Sequence, residues 1–577
     1  MLTILTKRIA YSFLIRIELI VLFSTNPARS MSHHDVFRVS GPIKVDEEKQ
    51  HSSGASRGSM DATENIVTND LHRTLTPRQV HIISLGSSVG SGLFIATGKA
   101  LANGGPGTMF IAYLIVCSGV WANLQTLGEM TIAFPVSGNY IDYAGRWVDP
   151  ALAFGAGFAE WLGWTAVFAA EAQFFVVLVD YWAKGTVPHA ALISIFLVVC
   201  LIVFLLPNNA FAWLQCFGSM VKIVLFVFVV IFSIVLFAGA GPTPTHEWGS
   251  SWKDGMAFQN GFGGFASCAL LAIWAVGDQV FIGVMVGESE SPRYSMGHAS
   301  TLVPLRVGVM YMTCVVLIGL LISSDNPDLL GASGSAASPF VIAAKGIKGV
   351  PDLINVCVII GLTAIALESI YLPSRILRTM ACQGLIPQIF GKCDERGRPR
   401  WALAFTSVIA VILSYLSLSA GGTEALNWFI SITSASFFSN WAIIAFTSFF
   451  FHRALKAQGD DIFSQKYAWK SSGWPSSPTH LMLVCLLLLI SLFYSAIKPL
   501  NGTGFTAYNF FQNMIGLLMI VIFTVAYKLI MRTKWQSPKT ADLQTGRNKL
   551  RPDEIEFLDG YYSAPWWRRL GTYVSLY

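Results

Sequence analysis

Long, uninterrupted apolar runs are the feature that most constrains this chain. From residue 79 onward about twelve of them follow one another, each near the ~20 residues that a helix needs to cross a bilayer. They lie at roughly 79–100, 108–133, 152–181, 189–207, 211–239, 258–287, 302–323, 340–372, 402–419, 425–451, 479–497 and 507–531. The linkers are short, so the pattern predicts one all-α transmembrane domain over residues 79–531.

The composition excludes a soluble protein. Of the 577 residues, 53% are hydrophobic and 12% are charged, whereas soluble proteins carry about 25% charged residues. We therefore predict a polytopic protein whose surroundings are the lipid bilayer. The net charge of +6 comes from loops and tails and does not indicate nucleic-acid binding. The nine cysteines have no metal-ligand or disulfide spacing, and no nucleophile–base pattern occurs. The sequence thus predicts no metal, no cofactor and no enzymatic activity.

The tails and the loop charges predict an orientation. Residues 1–78 are mostly polar and are expected to form a disordered cytoplasmic tail, and residues 1–30 are interpreted as an upstream extension before Met31. Residues 532–577 are expected to form a cytoplasmic C-terminal tail. Most loop Lys and Arg residues fall in the even-numbered connections, which predicts that both termini are inside. The sequon at Asn501 then lies on the outer face and is a glycosylation candidate.

The first apolar run contains an unusual cluster of small residues. Gly86, Gly90 and Gly92 lie among serines in its middle. A break in a membrane helix leaves N–H and C=O groups unpaired, which hydrocarbon cannot satisfy. The cluster therefore indicates either an unwound segment that binds substrate or a small-residue face for close helix packing.

The sixth run, 258–287, carries a comparable interruption. Gly277 and Asp278 lie near its middle. An aspartate at that depth is costly and is a functional candidate by default. If runs 1–5 and 6–10 form two halves, the two breaks occupy corresponding positions, which is typical of transporters built from inverted repeats.

Several motifs together resemble one family. The stretches that carry the resemblance are 85–94 (LGSSVGSGLF), 104–106 (GGP), 127–130 (LGEM), 135–150 (PVSGNYIDYAGRWVDP), 287–293 (GESESPR), residues between 371 and 399, and 451–459 (FHRALKAQG). The chain resembles the fungal amino-acid permeases, the yeast amino acid transporter family of the amino acid–polyamine–organocation superfamily. The resemblance implies about twelve helices: a 5+5 inverted repeat with broken helices 1 and 6, plus two C-terminal helices. It also implies proton-coupled amino-acid uptake by alternating access at a plasma membrane.

An amino acid needs a site with two complementary poles. Amides at a helix start suit its carboxylate, and carbonyls at the end of a broken helix suit its ammonium group. The substrate side chain is expected to meet Trp274 or nearby aromatic residues. The predicted substrate-binding residues are Ser88, Val89, Gly90, Ser91 and Gly92 in the first run and Trp274, Ala275, Gly277 and Asp278 in the sixth.

Charged residues within or beside the runs have further predicted roles. Lys222 matches a family lysine that occupies the place of a sodium ion in related transporters, and with Glu171 it is a proton-coupling candidate. The alternatives are a lysine that extends to the membrane interface and an acid that is a structural partner. Glu288, Arg293 and Arg375 are predicted to form inner-gate charges.

Two departures from the family pattern leave the substrate open. The segment around Asp278 differs from the aromatic and Gly-x-Glu pattern of the family, and Leu367-Glu368 stands where Asn-Ser is common. An extra acid near the core suits a cation without a carboxylate. Three functions therefore stay open: an amino-acid transporter, an amino-acid sensor on the same scaffold, and a transporter of an amine such as a polyamine or choline.

Overall fold

A computed structural model gives the fold of most of the chain. The residues it describes are 89–136, 138–205, 208–239, 249–253, 255–280, 282–283, 291–330, 338–394, 397–419, 422–471, 473–500 and 504–575. The predicted N-terminal tail, Ser88, Glu288 and Asn501 lie outside these ranges, so the predictions made for them stay predictions.

The described residues form helices and no strand. In chain order the helices are α1 (Thr97–Ala133, entered through a π-helical turn at Gly92–Ala96), α2 (Asn139–Trp147), α3 (Pro150–Ala183), α4 (His189–Leu205), α5 (Asn208–Phe237), α6 (Gly261–Val276), α7 (Pro292–Leu321), α8 (Pro339–Ala343), α9 (Val350–Cys382), α10 (Arg400–Leu416), α11 (Gly422–Gln458), α12 (Ser476–Ile497), α13 (Ala507–Met531), α14 (Pro552–Ser563) and α15 (Trp566–Ser575).

Nine helical segments of these residues are long and apolar enough to cross a membrane, and two more apolar helices are shorter. The prediction of an all-α polytopic membrane protein is therefore confirmed. The count of twelve spans and the inverted repeat remain predictions.

Helix α1 consists of two helices joined at a sharp kink. Gly105 has φ +76° and ψ 168°, a conformation that only glycine adopts at little cost. A Cβ at this position would lie 2.2 Å from the carbonyl oxygen of Met256. Pro106 follows and opens the second helix, where its missing N–H costs nothing. The kink separates the first two apolar runs of the sequence.

Helix α3 lies at the centre of the bundle. It packs against α9 and α11, while α1 packs against α6 and α7. In α3, 83% of the most apolar stretch is buried inside the protein, compared with 17% in α13. Helix α3 is therefore a core helix, whereas the apolar surface of α13 is left for lipid.

The C-terminal segment after α13 folds back onto one end of the bundle. The Gln536 amide donates to the carbonyl of Val148 at 2.8 Å, and the Asn548 amide donates to the carbonyl of Ala133 at 2.8 Å. These backbone hydrogen bonds join the segment to the connections on either side of α2. The residues predicted as a tail are thus partly ordered against the transmembrane domain.

Candidate functional site

The start of the first described helix and the end of α6 meet near the middle of the bundle, at the two interruptions that the sequence predicts. These two places are called the first and the second break. The chain is not helical at Val89 and Gly90, and the first helix starts with the π-helical turn Gly92–Ala96. Helix α6 ends at Val276, and the chain continues as a 3₁₀ turn over Gly277–Val280. Irregular turns of this kind are rare within helices, and many of those that do occur lie at functional sites.

Glycine allows the two breaks to touch. A Cβ at Gly92 would lie 2.7 Å from the Cβ and 2.8 Å from the Cα of Ala275. A Cβ at Gly90 would lie 2.0 Å from Cδ1 of Ile365. Close helix packing, one of the two interpretations of this cluster, is therefore present. It does not exclude the other interpretation, because a cavity opens at the same place.

The cavity has about 420 Å³ of space that is not filled by atoms, and this volume includes space open to solvent. Its walls come from α3, α7, α9 and α11 together with the two breaks. The lining residues are Gly90, Ser91, Gly92, Trp164, Val167, Glu171, Trp274, Ala275, Asp278, Tyr311, Ile365, Glu368 and Phe437. The lining of apolar and aromatic side chains with a few polar groups, at the middle of these helices, is typical of a site for a small molecule.

The structure brings most of the predicted substrate-binding residues together. Gly90, Ser91, Gly92, Trp274, Ala275 and Asp278 line the cavity, whereas Val89 and Gly277 are buried beside it. The lining residues that the sequence did not single out are Trp164, Val167, Tyr311, Ile365 and Phe437. They lie on other helices, and in the sequence an apolar or aromatic residue that lines a cavity cannot be distinguished from one that is packed in the core.

Ser91 and Glu171 connect the first break to α3. The Ser91 hydroxyl donates to Oε1 of Glu171 at 2.5 Å. The second carboxylate oxygen, Oε2, is buried and has no hydrogen-bond partner among the described residues. Glu171 is thus oriented by the break that it faces and keeps one acceptor oxygen unused.

The carbonyl groups of the second break already accept hydrogen bonds. The Tyr311 hydroxyl donates to the carbonyl of Ala275 at 2.8 Å, and Nε1 of Trp441 donates to that of Gly277 at 3.2 Å. A carbonyl oxygen has two lone pairs, so the Ala275 carbonyl can accept a second hydrogen bond. The Gly277 carbonyl lies within the 3₁₀ turn, where hydrogen bonds run from the amide of residue i+3 to the carbonyl of residue i. The indole N–H of Trp274 is buried and has no acceptor within the described part of the chain.

Lys222 lies deep in the protein near the acids of the cavity. It is 2% exposed, so its side chain does not extend to the protein surface as the alternative interpretation required. Its aliphatic stem packs on α9, where a Cβ at Gly361 would lie 2.9 Å from Cγ of Lys222. The charges that act on its ammonium group are those of Glu368, Glu171 and Asp278.

The predicted inner-gate arginines have separate surroundings. Nε of Arg293 donates to the carbonyl of Tyr467 at 2.6 Å, and its Nη2 donates to the hydroxyl of Tyr562 at 3.1 Å. Arg375 places its guanidinium over the ring of Tyr371, 4.2 Å from the centroid. Arg293 therefore joins α7 to the C-terminal segment, a contact that the motif did not indicate.

Residues 79–538 match the sequence model of the family described as amino acid permease. This chain belongs to the amino acid permease family. Similarity to individual relatives extends over most of the permease. Amino-acid permease GAP3 of Candida albicans is 32% identical over 515 residues, which cover 87% of this chain and 85% of that protein.

Two further relatives of this permease have more specific names. S-adenosylmethionine permease GAP4 of Candida albicans is 30% identical over 496 residues, covering 85% of this chain and 80% of that protein. Cationic amino acid transporter 1 of Schizosaccharomyces pombe is 30% identical over 483 residues, covering 82% and 81%. The fungal permease resemblance is confirmed, and with it a membrane-embedded protein of an amino-acid transport family.

Proposed function

We propose that this permease imports amino acids together with protons by alternating access, across a plasma membrane and with both termini in the cytoplasm. The observation that most supports this proposal is the cavity at the junction of the two helix breaks. It lies midway along the surrounding helices and is lined by buried acids. A site midway along spanning helices can open to one side of a membrane and then to the other.

The substrate carboxylate binds at the first break. The first turn of a helix has amides without intrahelical acceptors and the positive end of the helix dipole. Here that turn is at Ser91 and Gly92, both of which line the cavity. Since glycine has no side chain, the ligand can approach the backbone closely.

The α-ammonium group binds between the second break and α3. The Ala275 carbonyl can accept one further hydrogen bond, and Oε2 of Glu171 is unpaired within the described residues. Both groups carry negative charge or partial charge, as an ammonium ligand requires. Ser91 fixes the orientation of Glu171, so carboxylate and ammonium recognition are coupled through one hydrogen bond.

Lys222 couples protons to transport. A buried ammonium among acids changes the net charge of the site whenever it gains or loses a proton. Substrate binding changes the same charge balance, so proton and substrate occupancy depend on each other. Glu171 is the second group that contributes, because it faces both the substrate and the charge of Lys222.

Replacement of Lys222 by methionine tests this assignment. Methionine is of similar length and keeps the packing on Gly361, but it cannot carry a proton. In cells without their own permeases, we expect wild-type uptake of labelled amino acids to rise at acid pH. Lys222→Met should lose this acid stimulation and accumulation, while it retains exchange of internal for external amino acid.

Lys99→Met is the matched control, because Lys99 hydrogen-bonds to Asn427 and does not line the cavity. It should keep the pH dependence. If Lys222→Met accumulates amino acids at acid pH as the wild type does, Lys222 has no coupling role. Binding of amino acids without any uptake by the wild type would instead indicate a sensor.

A further inference from the structure

Among the residues that the structure describes, the acids around the cavity outnumber the bases. Glu171, Asp278 and Glu368 line it from three different segments, and Lys222 is the buried base whose charge interacts with all three. One ammonium group offsets one carboxylate. A buried carboxylate without a counter-charge is costly, so an excess of acids favours a ligand that brings positive charge.

Glu368 is, together with Asp278, an acid that the transport mechanism above does not use. It is 5% exposed and lies in the middle of α9. Its Oε1 is buried and has no hydrogen-bond partner in the described part of the protein. Its charge acts on that of Asp278, whose Oδ1 accepts a hydrogen bond from Gln279 at 2.5 Å. Two acids from different segments, α9 and the second break, therefore line the same cavity.

Aromatic rings form much of the remaining wall. Trp164, Trp274, Tyr311 and Phe437 line the same space. The faces of such rings attract cations, and the attraction is larger where water is excluded. Carboxylates and rings together suit a guanidinium or ammonium group better than an apolar or neutral polar side chain.

We propose that this permease selects amino acids with a cationic side chain, which binds to Glu368 and Asp278. The inference rests on the proposed function, because it assumes that the cavity is the substrate site. The α-carboxylate occupies the turn at Ser91 and Gly92, and the side chain extends across the cavity towards α9. An amine without a carboxylate leaves that helix start empty and binds more weakly.

Arginine and citrulline are a matched pair of probes. They have the same backbone and nearly the same length, but only arginine carries a side-chain charge. In cells without their own permeases, the kcat/KM for arginine should exceed that for citrulline by about tenfold or more, as expected for hydrogen bonds to a charged group. Agmatine, which is arginine without its carboxylate, should compete poorly with arginine.

Glu368→Gln removes one charge and keeps the shape of the side chain. In this variant the ratio of kcat/KM for arginine to kcat/KM for citrulline should approach one, because arginine uptake slows while citrulline uptake is retained. Glu129→Gln is the control for the loss of a buried acid, because Glu129 pairs with His452 at 3.2 Å and does not line the cavity. It should keep the wild-type ratio.

The wild-type measurements suffice to decide the proposal if Glu368→Gln does not fold. Equal or better uptake of citrulline and other neutral amino acids would overturn cationic selectivity while amino-acid import stands. Agmatine uptake as efficient as that of arginine would overturn the proposed binding of the α-carboxylate at Ser91 and Gly92. Failure to accumulate any amino acid would overturn the proposed function itself.

Discussion

At the scale of single residues, Gly92 has two roles in this structure. It allows the first helix to contact Ala275 of the second break, and it leaves the adjacent backbone open to the cavity. A side chain on Gly92 meets backbone atoms of α6, which cannot rotate away as a side chain can. The position therefore depends on glycine for packing and for access together.

Gly92→Ala is expected to impair both transport and stability. The added methyl group meets Ala275 at under 3 Å, and overpacking of this kind costs about 1–3 kcal/mol. We expect a lower Tm of the purified permease in detergent and a loss of amino-acid uptake of tenfold or more. Thermal unfolding and uptake in permease-deficient cells measure the two effects.

Gly308→Ala is the matched control on α7. A Cβ there meets no atom within 4 Å, and alanine in a helix is more stable than glycine by about 0.5–1 kcal/mol. Its Tm and uptake should equal or exceed those of the wild type. If Gly92→Ala has the same Tm and uptake as Gly308→Ala, the contact between the two breaks contributes neither to stability nor to transport.

The sequence could predict those residues whose presence in a membrane helix costs free energy. Glycines among serines in an apolar run, and an aspartate or glutamate in a membrane helix, are expensive unless they have a role. Ser91 and Asp278 were found in this way. Lys222 and Glu171 were found through the family resemblance and their position within apolar runs, and Glu368 through its departure from the family pattern. Phe437 and Tyr311 were not, because a buried aromatic residue is unremarkable in any membrane helix.

At the scale of elements, most apolar runs coincide with helices of the described residues. The run predicted at 340–372 instead contains the short helix α8 and only part of α9, which extends to Cys382. The length and hydropathy of the runs are local properties, so the sequence contains them directly. The C-terminal segment was predicted only as a tail, since its order comes from contacts with distant residues. Arg547 forms two hydrogen bonds with Asp460, at 2.7 and 2.9 Å, and both side chains are largely buried. Nothing in the spacing of these two residues indicates that they meet.

Arg547→Ala should detach the C-terminal segment. Loss of one partner leaves a largely buried carboxylate unpaired, which costs about 1–3 kcal/mol. We expect subtilisin to cleave between α13 and α14 about tenfold faster in this variant than in the wild-type permease in detergent. Gel analysis of the released fragment over time measures the rate.

The control is Arg551→Ala in the same segment. Arg551 and Asp553 form an exposed pair with N–O distance 3.5 Å, and such pairs contribute about 0–1 kcal/mol. Its cleavage rate should stay near that of the wild type. Equal rates in all three proteins would mean that the Arg547 pair does not hold the segment.

At the scale of the whole molecule, the site is a product of packing. Its walls come from the two breaks and from α3, α7, α9 and α11, which are far apart in the chain. The sequence predicted that the breaks correspond, but it contained no information on which faces of the other helices meet them. Long-range packing decides those faces, and it also decides that three acids share one cavity.

Transport by the purified permease in liposomes tests the central claim most directly. The vesicles contain neutral buffer, the outside is acidic, and labelled arginine and leucine are supplied together so that selectivity does not decide the result. The account predicts that amino acid accumulates above its external concentration while the pH gradient lasts. A protonophore should then release it. Uptake that stops at the external concentration and ignores the gradient, or binding without entry, would contradict proton-coupled import.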